Sequence, residues 1–186
     1  DWKGLAEVYE RLLDVSQSVP DRALFCSRLA ILHESMLDDK AKALDFWQQF
    51  RDLDPEDLEA FENVARLLAE TGDWNGLVNH LEGRIAQVQR DMDKIELLRR
   101  LAIVYERHLE DLNATISVQQ RILELDPNSR LAYSELVRLF EAMESWEEQV
   151  QTLIRWKEHV EEPREIAALM LEAATVLYRK LEHVDR

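Results

Sequence analysis

Arg28-Leu29-Ala30-Ile31 stands again as Arg100-Leu101-Ala102-Ile103, 72 residues further on. The same offset carries Asp54-Pro55 onto Asp126-Pro127 and sets Trp2, Trp74 and Trp146 in register. Leu37, Leu109 and Leu181 obey it, as do Arg66 and Arg138. An interval kept this strictly marks a repeat array, in which each unit packs on its neighbours. The chain divides into 1–72, 73–144 and a partial copy at 145–186, read together as a single repeat domain. It opens on Asp1, directly in a periodic segment, and is read as a piece of a longer array.

Ten segments place apolar residues at three- and four-residue spacing. Their limits fall near 2–15, 21–37, 40–53, 56–71, 74–90, 92–109, 112–125, 129–143, 146–160 and 163–183. In the fourth, Leu58, Phe61, Val64, Ala65 and Leu68 share one helical face; in the sixth, Leu98, Leu101, Ala102, Tyr105 and Leu109 do. No segment alternates apolar and polar residues over a strand's length, so no sheet is expected. Asp54 and Asp126 are expected as helix N-caps, with Pro55 and Pro127 at the first helical position, where a missing N–H costs nothing. Pro163 is expected to open the last helix, and Pro20-Asp21 to mark the first gap. Gly72 suits a left-handed residue after a helix C-terminus. Glu144-Ser145 occupies the same place one copy later and predicts a less sharp turn. Linkers of two to five residues force neighbouring helices antiparallel.

The formal charge is −15 and the pI about 4.7. Such a surface repels the phosphate backbone and argues against nucleic-acid binding. It favours solubility or basic partners. The lone cysteine, Cys26, excludes an internal disulfide and reads as a small buried hydrophobe. No run approaches the ~18 apolar residues of a membrane span, and no signal peptide is visible. A cytoplasmic location is the expectation. His33, His80, His108, His159 and His183 form no metal-spaced pair. There is no Gly-rich phosphate loop and no nucleophile elbow. Neither cofactor, metal nor catalytic residue is expected. Asn113-Ala114-Thr115 matches a glycosylation sequon formally and is read as chance.

These residues resemble the tetratricopeptide repeat, TPR, which alternates large and small apolar positions on a helix pair. Phe61, Val64, Ala65 and Leu68 fit its first helix, followed by Gly72, Asp73 and Trp74 at the turn. Leu98, Leu101, Ala102 and Tyr105 fit the next, and Tyr133, Leu136, Val137 and Phe140 the one after. Ala43, Trp47 and Pro55 fit a second helix and its exit. Small residues at Ala30, Ala65, Ala102 and Ala174 would allow close helix approach. The chain departs from the pattern at Val137, at Cys26 and His33, and at Phe50, Arg84 and Ile122. The resemblance implies an all-α, right-handed α-solenoid of antiparallel helix hairpins, four complete, with an orphan helix at each end.

The resemblance also implies a non-enzymatic scaffold whose first helices line a concave groove for a peptide or a partner helix. Carried onto this chain, the groove is lined by Ile31, Glu34, Glu62, Arg66, Glu70, Arg99, Ile103, Arg107, Ser134 and Arg138. The Lys/Asn/Arg set that clamps a C-terminal carboxylate in one subclass is absent. Arg66, Arg99, Arg107 and Arg138 could each meet a carboxylate. Spacings of four residues equally join Glu62 to Arg66 and Arg66 to Glu70. Trp2, Trp74 and Trp146 are expected to pin hairpin turns, and Trp47 and Trp156 to lie in the core. The last helix is apolar over more than one face, which predicts contact with a further unit or a second copy. Self-assembly through the ends or the convex face, and an accessory role beside an enzyme, are the alternatives.

Overall fold

A computed structural model of the chain describes residues 1–181. Positions 182–183 of the tenth expected segment, including His183, lie outside them. The described residues hold ten helices and no strand. These are α1 (Trp2–Val15), α2 (Val19–Ser35), α3 (Lys40–Leu53), α4 (Leu58–Thr71), α5 (Trp74–Gln87), α6 (Asp91–Arg107), α7 (Leu112–Leu125), α8 (Arg130–Ala142), α9 (Trp146–Lys157) and α10 (Pro163–Lys180). None is long and apolar enough to cross a membrane.

Helix starts follow the 72-residue interval of the sequence. Asp1 and Asp73 accept the N–H of Gly4 at 3.2 Å and of Gly76 at 2.8 Å. Asp39 and Asp111 accept those of Lys42 at 3.0 Å and Ala114 at 2.9 Å. Each side chain satisfies an N–H that the first helical turn leaves without a partner. A Cβ on Gly76 would collide with the Asp73 carboxylate. In the third copy Glu148 stands at that position, and Ser145 makes no side-chain cap bond.

Helix ends repeat as well. Gly72 turns left-handed at φ 74°, with its N–H on Ala69 and Leu68 carbonyls. Glu144, 72 residues on, does the same at φ 54°. This turn is therefore as sharp as the glycine turn, contrary to the sequence expectation. Asp38 at φ 51° and Glu110 at φ 52° form a second such pair. Packing of the flanking helices holds these three acidic residues where L side chains are disfavoured.

The Asp-Pro pairs differ from expectation. Asp54 and Asp126 end α3 and α7 rather than opening the next helices. The Asp54 carboxylate accepts the Glu56 N–H at 3.2 Å, and its carbonyl the Asp57 N–H at 3.2 Å. Asp126 holds Asn128 and Ser129 likewise, at 3.1 Å each. An aspartate folded onto its own turn is not free to cap. Asp57 caps α4 instead, accepting the Ala60 N–H at 2.7 Å, and Ser129 precedes α8. Pro55 and Pro127 sit in the turns. Pro20 lies inside the first turn of α2 rather than in a gap, while Pro163 opens α10 as expected.

The chain forms two compact units, Asp1–His80 and Leu81–Arg186. In the first, successive helices α1 to α4 pack in sequence order. Cys26, Ala30, Ala43, Trp47, Ala60 and Val64 are almost fully buried there. Burial pushes the Cys26 thiol above its ordinary pKa, as for a structural rather than a reactive cysteine. His33 stacks on Phe46 at 5.5 Å in the same core. In the second unit, α6 to α10 pack in order. Leu98, Leu101, Ile122, Tyr133 and Leu153 fill it. Trp156 lies nearly parallel to Tyr133 at 5.7 Å. Alternating large and small side chains let the helices interdigitate at close range.

Two expectations fail at the ends. Trp2 is 52% exposed and pins no turn, whereas Trp146 is half-buried and carries Lys180 Nζ 4.5 Å from its ring centre. Ala174 is exposed and Ala173 is buried in its place. The face of α10 that carries Ala174 matches the face by which α6 buries Ala102, but no following helix covers it among the described residues.

Candidate interaction surface

Side chains reaching across helices show which elements share a face. In the first unit, the Arg66 guanidinium on α4 meets the Glu34 carboxylate on α2 through both nitrogens, at 2.7 and 2.8 Å. It also holds Glu70 at 2.9 Å and Asn63 at 3.1 Å. Lys40, at the start of α3, reaches Glu70 at 2.7 Å. The hydrogen bond from Lys40, then that from Arg66, keeps the Glu70 carboxyl below the usual carboxylate range. Glu34, Arg66, Glu70 and Lys40 thus form one charged strut across α2, α4 and α3. Ile31 stands one turn before Glu34 and is 44% exposed. Glu62 is exposed on the same helix as Arg66.

The second unit repeats the strut with one change. Arg138 on α8 reaches Glu106 on α6 at 2.7 Å, as Arg66 reaches Glu34 one copy earlier. Its second partner is Glu135 at 2.7 Å, because Ala142 stands where the preceding copy has Glu70. The Glu135 hydrogen bond, offset by burial and joined by the Glu106 bond, holds Arg138 more firmly protonated. Elsewhere in this unit a bidentate pair joins Arg121 on α7 to Glu82 on α5, at 2.6 and 2.9 Å.

Between α6, α7 and α8 the second unit opens a cleft of about 420 Å³. Arg99, Ile103, Arg107 and Arg138, four of the residues assigned by resemblance, line it together. Ser134 is exposed on α8 but does not line it. Ile103 and Leu131 face the cleft with 48% and 53% exposure. The cleft also takes in Gln119 from α7, Ser129 just before α8 and Glu135 from α8, none of which the resemblance assigned. Gln119 carries the signal that could have found it. It is a polar residue on the apolar face of α7, at the place where the preceding copy has Trp47. The described residues contain no cluster of His, Cys, Asp and Glu suited to a metal ion.

The ten residues assigned to a groove therefore divide. Ile31, Glu34, Glu62, Arg66 and Glu70 belong to the first unit, the other five to the second. Arg66 and Arg138 are committed to neighbouring carboxylates. Arg99 approaches Glu96 only at 3.7 Å, with both side chains well exposed. The Arg107 side chain has no hydrogen bond or ion pair among the described residues.

No protein-family model and no curated protein matches the chain. Among solved structures, it is similar to MamA at 14% identity, covering 94% of this chain and 92% of that one, with a TM-score of 0.49. It is similar to YrrB, described as a TPR protein with an unusual peptide-binding site, at 16% identity. That match covers 97% of this chain and 87% of YrrB, with a TM-score of 0.48. A third similar structure is MamA from Desulfovibrio magneticus RS-1, residue 41 to its end. It shows 15% identity over 89% of each chain, with a TM-score of 0.48.

Proposed function

We propose that this ten-helix array of TPR-like hairpins is a non-catalytic protein-interaction scaffold. A partner peptide or helix lies on the face that α6 and α8 share in the second unit, with the α6–α8 cleft at its centre. One observation carries the reading. Ile31 and Ile103 hold the same repeat position and are exposed to nearly the same extent, 44% and 48%, each on the helix that an arginine strut ties to the next hairpin. An exposed aliphatic side chain thus recurs at this place in both copies. In the second unit Leu131 joins it, and arginines surround the pair. This is the mixed apolar and polar make-up of a surface that orients a ligand.

The test is capture from a lysate by the immobilised chain, compared with Ile103→Asp/Leu131→Asp. Both side chains are exposed, so the variant should keep its helicity by circular dichroism. Partners lost only from the variant support the reading. Partners held equally by both proteins contradict it.

A second reading, self-association through the ends, rests on α10. Met170, Leu171 and Tyr178 are 44%, 70% and 67% exposed. Ile95, Leu98 and Ala102, which hold the repeat positions of Ala167, Met170 and Ala174, are buried. Sedimentation velocity at rising concentration separates the two readings. A strictly monomeric chain rules out the second, and association abolished by Leu171→Glu favours it.

A further inference from the structure

Charge reverses locally in the α6–α8 cleft. The chain as a whole carries −15, yet three guanidiniums (Arg99, Arg107, Arg138) and two carboxylates (Glu106, Glu135) line this cleft. Both carboxylates are spent on Arg138, at 2.7 Å each. The unsatisfied cations are Arg107, which has no partner among the described residues, and Arg99, held only by the exposed Glu96 at 3.7 Å. A free guanidinium and a loosely held one beside an aliphatic patch are suited to carboxylates on a partly apolar ligand.

Their spacing is specific. Arg99, Ile103 and Arg107 follow one another at four-residue intervals along one side of α6. At ~1.5 Å of rise per residue the two arginines start about 12 Å apart, with Ile103 midway. An extended peptide advances ~3.3 Å per residue, so side chains four residues apart are separated by about 13 Å. A helical ligand would need its carboxylates about eight residues apart to span the same distance. Gln119 lines the cleft, makes no side-chain hydrogen bond within the described residues and keeps its amide open to the cleft. A peptide main chain laid over it supplies both a donor and an acceptor.

Resting on the scaffold reading above, we infer that the α6–α8 cleft takes an extended acidic segment with two Asp or Glu side chains four residues apart and an aliphatic residue midway between them. The carboxylates meet Arg99 and Arg107, the aliphatic side chain lies between Ile103 and Leu131, and the main chain meets Gln119.

The experiment pans a random peptide library displayed on phage against the full chain, then measures the enriched peptides by fluorescence anisotropy. The expected enrichment is acidic–x–aliphatic–x–acidic. Arg107→Glu should weaken such a peptide at least tenfold, and Arg107→Gln by less. Arg164→Glu, a charge reversal outside the cleft, should leave binding within twofold. Binding should fall steeply with salt. Exchanging the two acids for Lys should restore binding to Arg99→Glu/Arg107→Glu. Enriched peptides without paired acids, or with acids eight residues apart, overturn the inference. If such peptides still fail on Ile103→Asp, the scaffold reading stands without it. If no cleft substitution weakens them, or nothing is enriched, both fall.

Discussion

Glu144 carries a left-handed backbone, φ 54°, where the preceding copy has Gly72. An L side chain in that region costs roughly 1–2 kcal/mol, and glycine escapes the cost. Exchanging the residues should therefore act with opposite signs. Gly72→Ala is expected to lower unfolding free energy by about 1 kcal/mol, and Glu144→Gly to raise it by about 0.5–1 kcal/mol. Urea melts of the two variants check both signs. His33 makes a different residue-scale claim. Burial, then Lys42, pushes its pKa below the ordinary value, with Asp39 and Glu10 opposing. The unfolded imidazole takes up a proton as pH falls through about 6.5, while the folded one resists. Stability is thus full above that pH and declines below it. His33→Phe, stacked on Phe46, should flatten the decline between about pH 6.5 and 5. An unchanged pH profile would show that His33 does not carry it.

Helices were legible where a single signal decided them. The three- and four-residue periodicity places all ten within a few residues of their observed limits, because amphipathic burial is the main source of helix stability here. Boundaries at Asp54-Pro55 and Asp126-Pro127 were misread because an aspartate before proline can serve either a cap or a turn. The choice is made by which N–H lies within reach, and that is a three-dimensional fact. The struts were half legible. Arg66 with Glu70 follows from helical spacing, but Arg66 with Glu34 and Arg138 with Glu106 need the distance between alternate helices. Ion pairs this exposed stabilise by about 0.5–1 kcal/mol at most. Arg66→Met should lower stability by that amount in dilute buffer and by much less in 1 M NaCl, as seen in paired urea melts. A loss that ignores salt would mean that the strut acts through packing.

At the scale of the whole chain, the 72-residue interval is the primary fact. It sets the caps, the left-handed residues and the struts in register, and each is a backbone or packing demand that recurs because the architecture recurs. The candidate interaction surface was less legible for the same reason. Repetition shows what every copy needs, whereas the proposed cleft is set by where copies differ. Gln119 in place of Trp47, and Leu131 in place of Glu59, are such differences. With Arg99 and Arg107 in place of Ser27 and Ser35, they distinguish the lining of the second unit's cleft from the same place in the first copy. The most direct measurement is photo-crosslinking in a cell lysate from a p-benzoylphenylalanine placed at position 103 in the cleft or at position 120 on the exposed side of α7. Partner adducts from 103 and none from 120 are predicted. Adducts from 120 alone would contradict the account.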